Sequence, residues 1–480
     1  MDTHPTFSEQ TLHQLWRQRQ IPPALLRTTE AQAVEVIDPG EYNRDAGPDF
    51  RRATIRLGDQ ILQGDVELHL DANDWFNHRH HLDPKYNEVI LHLAVAAAAA
   101  PVMLRKENGL MVPQLLLPRE KIFPVHPIDQ NSWTGLDCPL SRTTAEKIHA
   151  TVRQVGLLRL RAKAEAFAEQ VTNSSWDQAV YRGLAEAMGY DKNQEPFRRL
   201  TELLPIELLF SELRAGRATL PAVLLEALLF GAAGFFAALP APEKIPDADI
   251  SAYLAPRVQL WTSLQHALQI RPLRREAWQF FRLRPPNFPP RRLAGLAALL
   301  LKFYRDGLLE HLSGLFLAAA KVSVKKRPSA IIAELLNYFI CPATEFWRTH
   351  ADFLPDPSAP NANSETRVLT PATNYGDLIG RDRALDVLVN IVLPALWHYG
   401  RQAGDAHLQT LVQEVYGSFP RLQENQITRA MRQQLAQQFA VSRSVAASAL
   451  TQQGLIHLQK LYCRPRRCAA CLGLEGEQEK

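Results

Sequence analysis

Residues 60–70 read QILQGDVELHL. Side chains alternate along a strand, so Asp65, Glu67 and His69 share one face and Val66, Leu68 and Leu70 the other. A strand that is apolar on one side and carries acids and an imidazole on the other is expected to back onto a core and present metal ligands. Just upstream, GPDF at residues 47–50 offers Asp49 from a neighbouring strand. Two carboxylates on adjacent strands are what a hard divalent cation needs.

Gly58-Asp59 is a tight hairpin signal between the two strands. A plain two-residue turn pairs Leu57 with Gln60. Counting outward, Asp49 then faces Leu68, on the wrong side of the sheet from Glu67. A one-residue bulge reverses this, and Gly64 is the expected place for it; an irregular approach at Pro48 is the other route. Without a metal, Asp49 reads as a turn residue, and Glu67 and His69 as a solvated face pairing with Arg51 or Arg52.

Further out, residues 8–19 form a helix capped by Ser8, with Leu12, Leu15 and Trp16 at helical spacing. Residues 33–38 read as a strand, ended by Pro39-Gly40. Residues 71–84 are polar and rich in histidine, with Trp75 as a packing anchor and His78, His80 and His81 as hydrogen-bonding or ligating groups. VILHLAV at 89–95 reads as a buried strand with His92 as a core histidine. Residues 110–117 read as an edge strand because of Pro113. From Thr143 the pattern is helical, with Pro394 expected to kink or end its helix and a loop at 355–366. The fold class is therefore α+β, with an α/β domain over 1–128 and a helical region over 129–475.

The chain has 480 residues, 46% hydrophobic and 22% charged, with a net charge of +4. That is globular composition, and too weak a basic excess to argue for nucleic acid by itself. Residues 222–239 approach membrane-spanning length, but Glu226 and small-residue breaks mark a buried core helix instead. No signal peptide is evident, and the cytoplasm is the expected compartment.

The combination of GPDF, GDVELH, Asp74-Trp75 with the histidines that follow, YNEVILHL at 86–93 and the late cysteine run resembles a bacterial family catalogued only as domain of unknown function 2851. That resemblance implies little biochemistry. The N-terminal order also resembles the core of the PD-(D/E)XK nucleases: helix, three-stranded meander, second helix, further strand. It implies that Asp49 and Glu67 hold Mg²⁺ or Mn²⁺, and that His69 stands where that family has Lys. Glu35 or Glu9 would complete the shell, and His78 and His80 would contact phosphate or metal. The implied activity is cleavage of DNA or RNA; the alternative is a non-catalytic nucleic-acid-binding or scaffold protein that kept the fold.

Two further features stand apart. Cys463, Cys468 and Cys471 follow a C-x4-C-x2-C spacing that suits a soft metal, with Cys138 as the expected fourth ligand and Cys341 or a histidine as alternatives. Zinc is the simpler occupant; resemblance to some nucleases implies a 4Fe–4S cluster. Arg464, Arg466 and Arg467 are expected to lower the thiol pKa values. Finally, RLRPPNFPPRR at 282–292 offers Arg284, Arg291 and Arg292 to phosphates, or else forms a rigid connector.

Overall fold

The computed structural model describes residues 8–43, 46–96, 103–118, 138–216, 220–237, 239–245, 247–321, 326–353, 374–435 and 445–474. The boundary expected at 128 and 129 and the loop expected at 355–366 lie outside the described residues. The chain divides into two compact units: Met1–Thr151 with Gln426–Ser442 and Ile456–Lys480, and Val152–Asn425 with Arg443–Leu455. The sheet thus shares a unit with the cysteine tail, which the sequence grouped with the helices.

In the first unit, helix α1 (Glu9–Gln18) starts at Ser8, whose hydroxyl accepts from the Thr11 amide. Its Leu12, Leu15 and Trp16 are buried with Val66, Leu68, Leu91 and Leu93 of the sheet. The strands are β1 (Val34–Asp38), β2 (Glu41–Tyr42), β3 (Phe50–Leu57), β4 (Gln60–His69), β5 (Val89–Ala96) and β6 (Gln114–Pro118). The spatial order is β1-β3-β4-β5-β6, with β2 also on β3. The β1-β3-β4 meander is antiparallel, while β5 and β6 run parallel to β4. Between β4 and β5 the only α-helix among the described residues is a single turn, α2 (Asp74–Asn77), followed by 3₁₀ turns at His80–Leu82 and Pro84–Tyr86.

The hairpin register is regular from Leu57↔Gln60 to Ala53↔Gly64 and then shifts, so that Phe50 pairs with Val66. The extra residue is in β3, not in β4 where it was expected. Arg52 takes up the bulge in the left-handed region, at φ 56°. Its amide donates to Asp65 Oδ1 at 3.0 Å, so Asp65 closes the bulge. The offset places Asp49 opposite Glu67.

Gly64 has a different task. A Cβ there would stand 2.4 Å from Ile90 Cγ2 and 2.6 Å from the Glu88 carbonyl oxygen. Only glycine lets β5 come this close to β4.

The second unit is helical around a large apolar core. The stretch checked for membrane length is a buried helix, Pro221–Ala232, and no described helix is long and apolar enough to cross a membrane. Glu226 is buried there against Arg257, whose Nε donates to Glu226 Oε2 at 2.7 Å. Pro394 does not end its helix: the π-type turn Leu388–Val392 widens the backbone just before it, and helix resumes over Leu393–Gln402.

Arg291 and Arg292 are buried at the start of the helix Pro289–Leu300. Arg291 donates to the carbonyls of Trp347 and Gly376, and Arg292 to those of Leu378 and Pro286. Both guanidinium groups are thereby withdrawn from any phosphate contact, and the segment acts as the rigid connector. Arg284 remains exposed.

Candidate metal centre

β4 carries Glu67 and His69 inward on the face opposite Val66 and Leu68. They are 4% and 1% exposed, so the reading of a solvated face does not hold. The bulge has two consequences for Asp49. Its amide donates to Glu67 Oε2 at 2.9 Å, and its own Oδ2 accepts from the Leu68 amide at 3.0 Å. His13, on α1 one turn after Glu9, brings Nε2 to 3.1 Å from Asp49 Oδ2. Ligand atoms of Glu9, His13 and Asp49 all lie within 4.8 Å of one another.

A second group stands on the other side of Glu67. Ligand atoms of His69, His78 and His80 also lie within 4.8 Å of one another. Glu67 Oε1 is 3.4 Å from His69 Nε2 and 3.2 Å from His80 Nε2. The His69 and His80 rings are stacked, 5.2 Å apart and 7° from parallel, and Tyr86 stacks on His80 at 3.8 Å. His78 is the exposed member. The Trp75 indole N–H donates to the Arg105 carbonyl, which fixes the ring against His80 and His92.

Burial pushes the Glu67 carboxyl well above the usual range, and Asp49 and Glu9 push it further. Burial holds His69 down, to about 4, with His80 and His78 adding to the effect. His80 is likewise lowered, chiefly by burial. At neutral pH His69 is an uncharged imidazole with a lone pair, suited to ligation and poorly matched to proton abstraction.

The donor set passes a specific test for a cation. His13 Nε2 and His80 Nε2 are buried and have no hydrogen-bond partner, although each lies near a carboxylate oxygen. Nitrogen and oxygen atoms that approach without hydrogen-bond geometry, and converge from three elements, fit a shared ion.

Several expectations need correction. Glu35 does not reach the site: on β1 it lies opposite Arg56, whose Nε donates to it at 2.9 Å on an exposed surface. Glu9 takes its place, together with His13, which the sequence reading missed. The signal was present in the i, i+4 spacing of Glu9 and His13 on one helix face. Arg51 and Arg52 do not pair with Glu67; Arg52 reaches Glu41 and Arg51 the Ala46 carbonyl. His92 is fully buried, as expected of a core histidine, and its Nε2 is 2.9 Å from His69 Nδ1.

The tail cysteines also group. The 3₁₀ turn Pro139–Arg142, which begins at Cys138, packs against the helix Cys468–Leu472. Cys463 ends the π-type turn Gln459–Cys463. Burial raises the Cys463 thiol, and Cys138, Cys471 and Cys468 raise it further. Burial also raises Cys471, to about 11, with Cys138 and Cys468 contributing.

The arginines do not lower these thiols. Arg464 Nε donates to Asp38 at 2.9 Å, and Arg466 to the Gln18 carbonyl. Cys341 belongs to the second unit. All five cysteines are free thiols.

No curated protein and no solved structure matches this chain. A family model described as "Protein of unknown function (DUF2851)" matches residues 9–425, a span that holds both histidine and carboxylate groups and stops before the cysteine tail. The chain belongs to this family.

Proposed function

We propose that the first unit is a metal-dependent hydrolase of phosphodiester bonds in DNA or RNA. One observation carries this reading: the Arg51–Arg52 bulge turns Asp49 and Glu67 onto the same face, joined by the Asp49 amide at 2.9 Å from Glu67 Oε2. Asp49, Glu67, Glu9 and His13 would hold Mn²⁺ or Mg²⁺, and the imidazole favours Mn²⁺. Bound there, the ion would polarise a phosphoryl oxygen and lower the pKa of a water. His69 then serves the site as a neutral nitrogen donor rather than as a stand-in for the nuclease lysine. His78 and Arg79 are exposed next to His80 in the chain, and a phosphate backbone would meet them there.

Two further readings complete the proposal. Cys138, Cys463, Cys468 and Cys471 would hold Zn²⁺ or a 4Fe–4S cluster as a structural clasp. The compartment we propose is the cytoplasm, where five free thiols persist.

The test is cleavage of end-labelled DNA and RNA by the full chain in Mn²⁺. Asp49→Asn and Glu67→Gln should each lower the rate by about 100-fold or more, since outer-shell changes alone cost about 10–100-fold. Binding with no cleavage would replace the hydrolase with a binding protein built on a nuclease-like frame.

A further inference from the structure

We infer that His69, His78 and His80, with Glu67 Oε1 as fourth donor, form a separate metal site that takes a late first-row transition ion of the Zn²⁺ kind. It adjoins the carboxylate-rich group and shares Glu67 with it. The inference deepens the reading above, but it does not depend on hydrolysis.

Three observations carry it. The first is donor chemistry: three imidazoles and one carboxylate oxygen make a four-coordinate nitrogen-rich set, which suits Zn²⁺ or Co²⁺ and is a poor match for Mg²⁺. Glu67 divides its oxygens accordingly. Oε2 accepts from the Asp49 amide, and Oε1 faces the ring nitrogens of His69 and His80.

The second is the unpartnered His80 Nε2, buried 3.2 Å from Glu67 Oε1 and making no hydrogen bond. The ring is held by stacking on both Tyr86 and His69. Its nitrogen therefore stays directed at the carboxylate.

The third is a chain of contacts that sets the His69 tautomer. His69 Nδ1 is 2.9 Å from His92 Nε2, and His92 Nδ1 is 3.3 Å from the Gln114 amide nitrogen. Gln114 Oε1 is buried and has no partner. With the amide turned over, that oxygen accepts from His92 Nδ1–H, and His92 Nε2 accepts from His69 Nδ1–H. The His69 Nε2 lone pair is then left facing Glu67 Oε1. Metal-ligating histidines are held in this way, through the second ring nitrogen, by a carbonyl or carboxylate behind them. His92 and Gln114 are positioning residues for the ion.

The experiment is Co²⁺ titration of the metal-free full chain, read by visible absorption with no nucleic acid present. Thiolate-bound Co²⁺ shows its own d–d bands beside charge transfer, so the titration is run in the Cys463→Ser/Cys471→Ser background, where the d–d bands report the imidazole site. That chain should show d–d bands without thiolate charge transfer. Adding His80→Ala or His69→Ala in that background should remove those d–d bands. Exposed His78→Ala, which leaves the core intact, should weaken Co²⁺ binding, and Gln114→Leu should weaken it by about 10–100-fold.

Asp49→Asn should leave the d–d component in place. A Cys463→Ser/Cys471→Ser chain with no d–d bands, or d–d bands that persist at unchanged affinity when His78→Ala or His80→Ala is added to it, would overturn the assignment. Cleavage activity can be absent while the Co²⁺ result stands, so failure of the hydrolase reading is distinguishable.

Discussion

Gly64 and Ile90 leave no room for a methyl group between them: a Cβ at Gly64 would be 2.4 Å from Ile90 Cγ2. The parallel register of β4 and β5 shifts at this level, between Asp65 and Val66. Gly64→Ala should therefore cost about 1–3 kcal/mol, the range for overpacking a tight contact. It should also weaken metal binding, although residue 64 touches no ligand, because Glu67 and His69 ride on the same strand. Urea unfolding and the Co²⁺ titration read the two effects.

The stability of the metal-free protein should vary with pH in two opposed ways. The folded-state pKa of His69 is depressed to about 4, against 6.5 in the unfolded chain. Between those values the unfolded state binds more protons, so stability rises with pH until about 6.5. The folded-state pKa of Glu67 is raised above 4.5, so the folded state keeps a proton that the unfolded chain releases. That contribution is fully present below 4.5 and is lost as pH rises. Above pH 6.5 the Glu67 term remains after the His69 term has levelled off. Glu67→Gln should flatten the alkaline decline relative to wild type, as seen in thermal melts from pH 6.5 upward; an unchanged slope would rule out a proton held by Glu67.

Two carboxylates with arginine partners should behave very differently. Glu226 is buried with Arg257, which also lies 3.5 Å over the Tyr253 ring. Glu226→Ala leaves a buried guanidinium without its counter-charge and should cost about 3–5 kcal/mol. Glu35 meets Arg56 in the open, and Glu35→Ala should cost less than about 1 kcal/mol. Denaturant midpoints at equal slope measure both.

The cysteine tail should carry metal in protein purified without oxygen. One equivalent of zinc beyond that of the imidazole site, or iron with a brown colour, should be lost with Cys463→Ser and Cys138→Ser alike. Cys341→Ser should leave the metal content unchanged, because Cys341 belongs to the other unit. Metal analysis by mass spectrometry reads this directly.

Much of the sheet was legible because alternation and turn chemistry are local. The hairpin at Gly58-Asp59, the apolar Val66 and Leu68 and the need for a parity change all follow from residue order. The side on which the bulge falls did not follow. Sequence favours a glycine for positive φ, yet Arg52 accepts it while Gly64 meets a strand that arrives later in the chain.

His13 was missed because its partner, Asp49, is distant in sequence. Arg291 and Arg292 show the reverse error: a basic run looks the same whether it faces solvent or grips buried carbonyls. The thiols of Cys463 and Cys471 were misread for a similar reason, since adjacent arginines in sequence turn to Asp38 and Gln18 in space.

The first unit is assembled from three pieces of chain, the last of them Ile456–Lys480. Arg464, which clasps Asp38 at the end of β1, is supplied long after the strand it fastens has been made. A ribosome that has completed β6 at Pro118 must therefore translate about 350 further residues before Arg464 can make that contact. Until then β1 lacks this fastening, and a stop codon before residue 464 would remove it from the first strand of the sheet altogether.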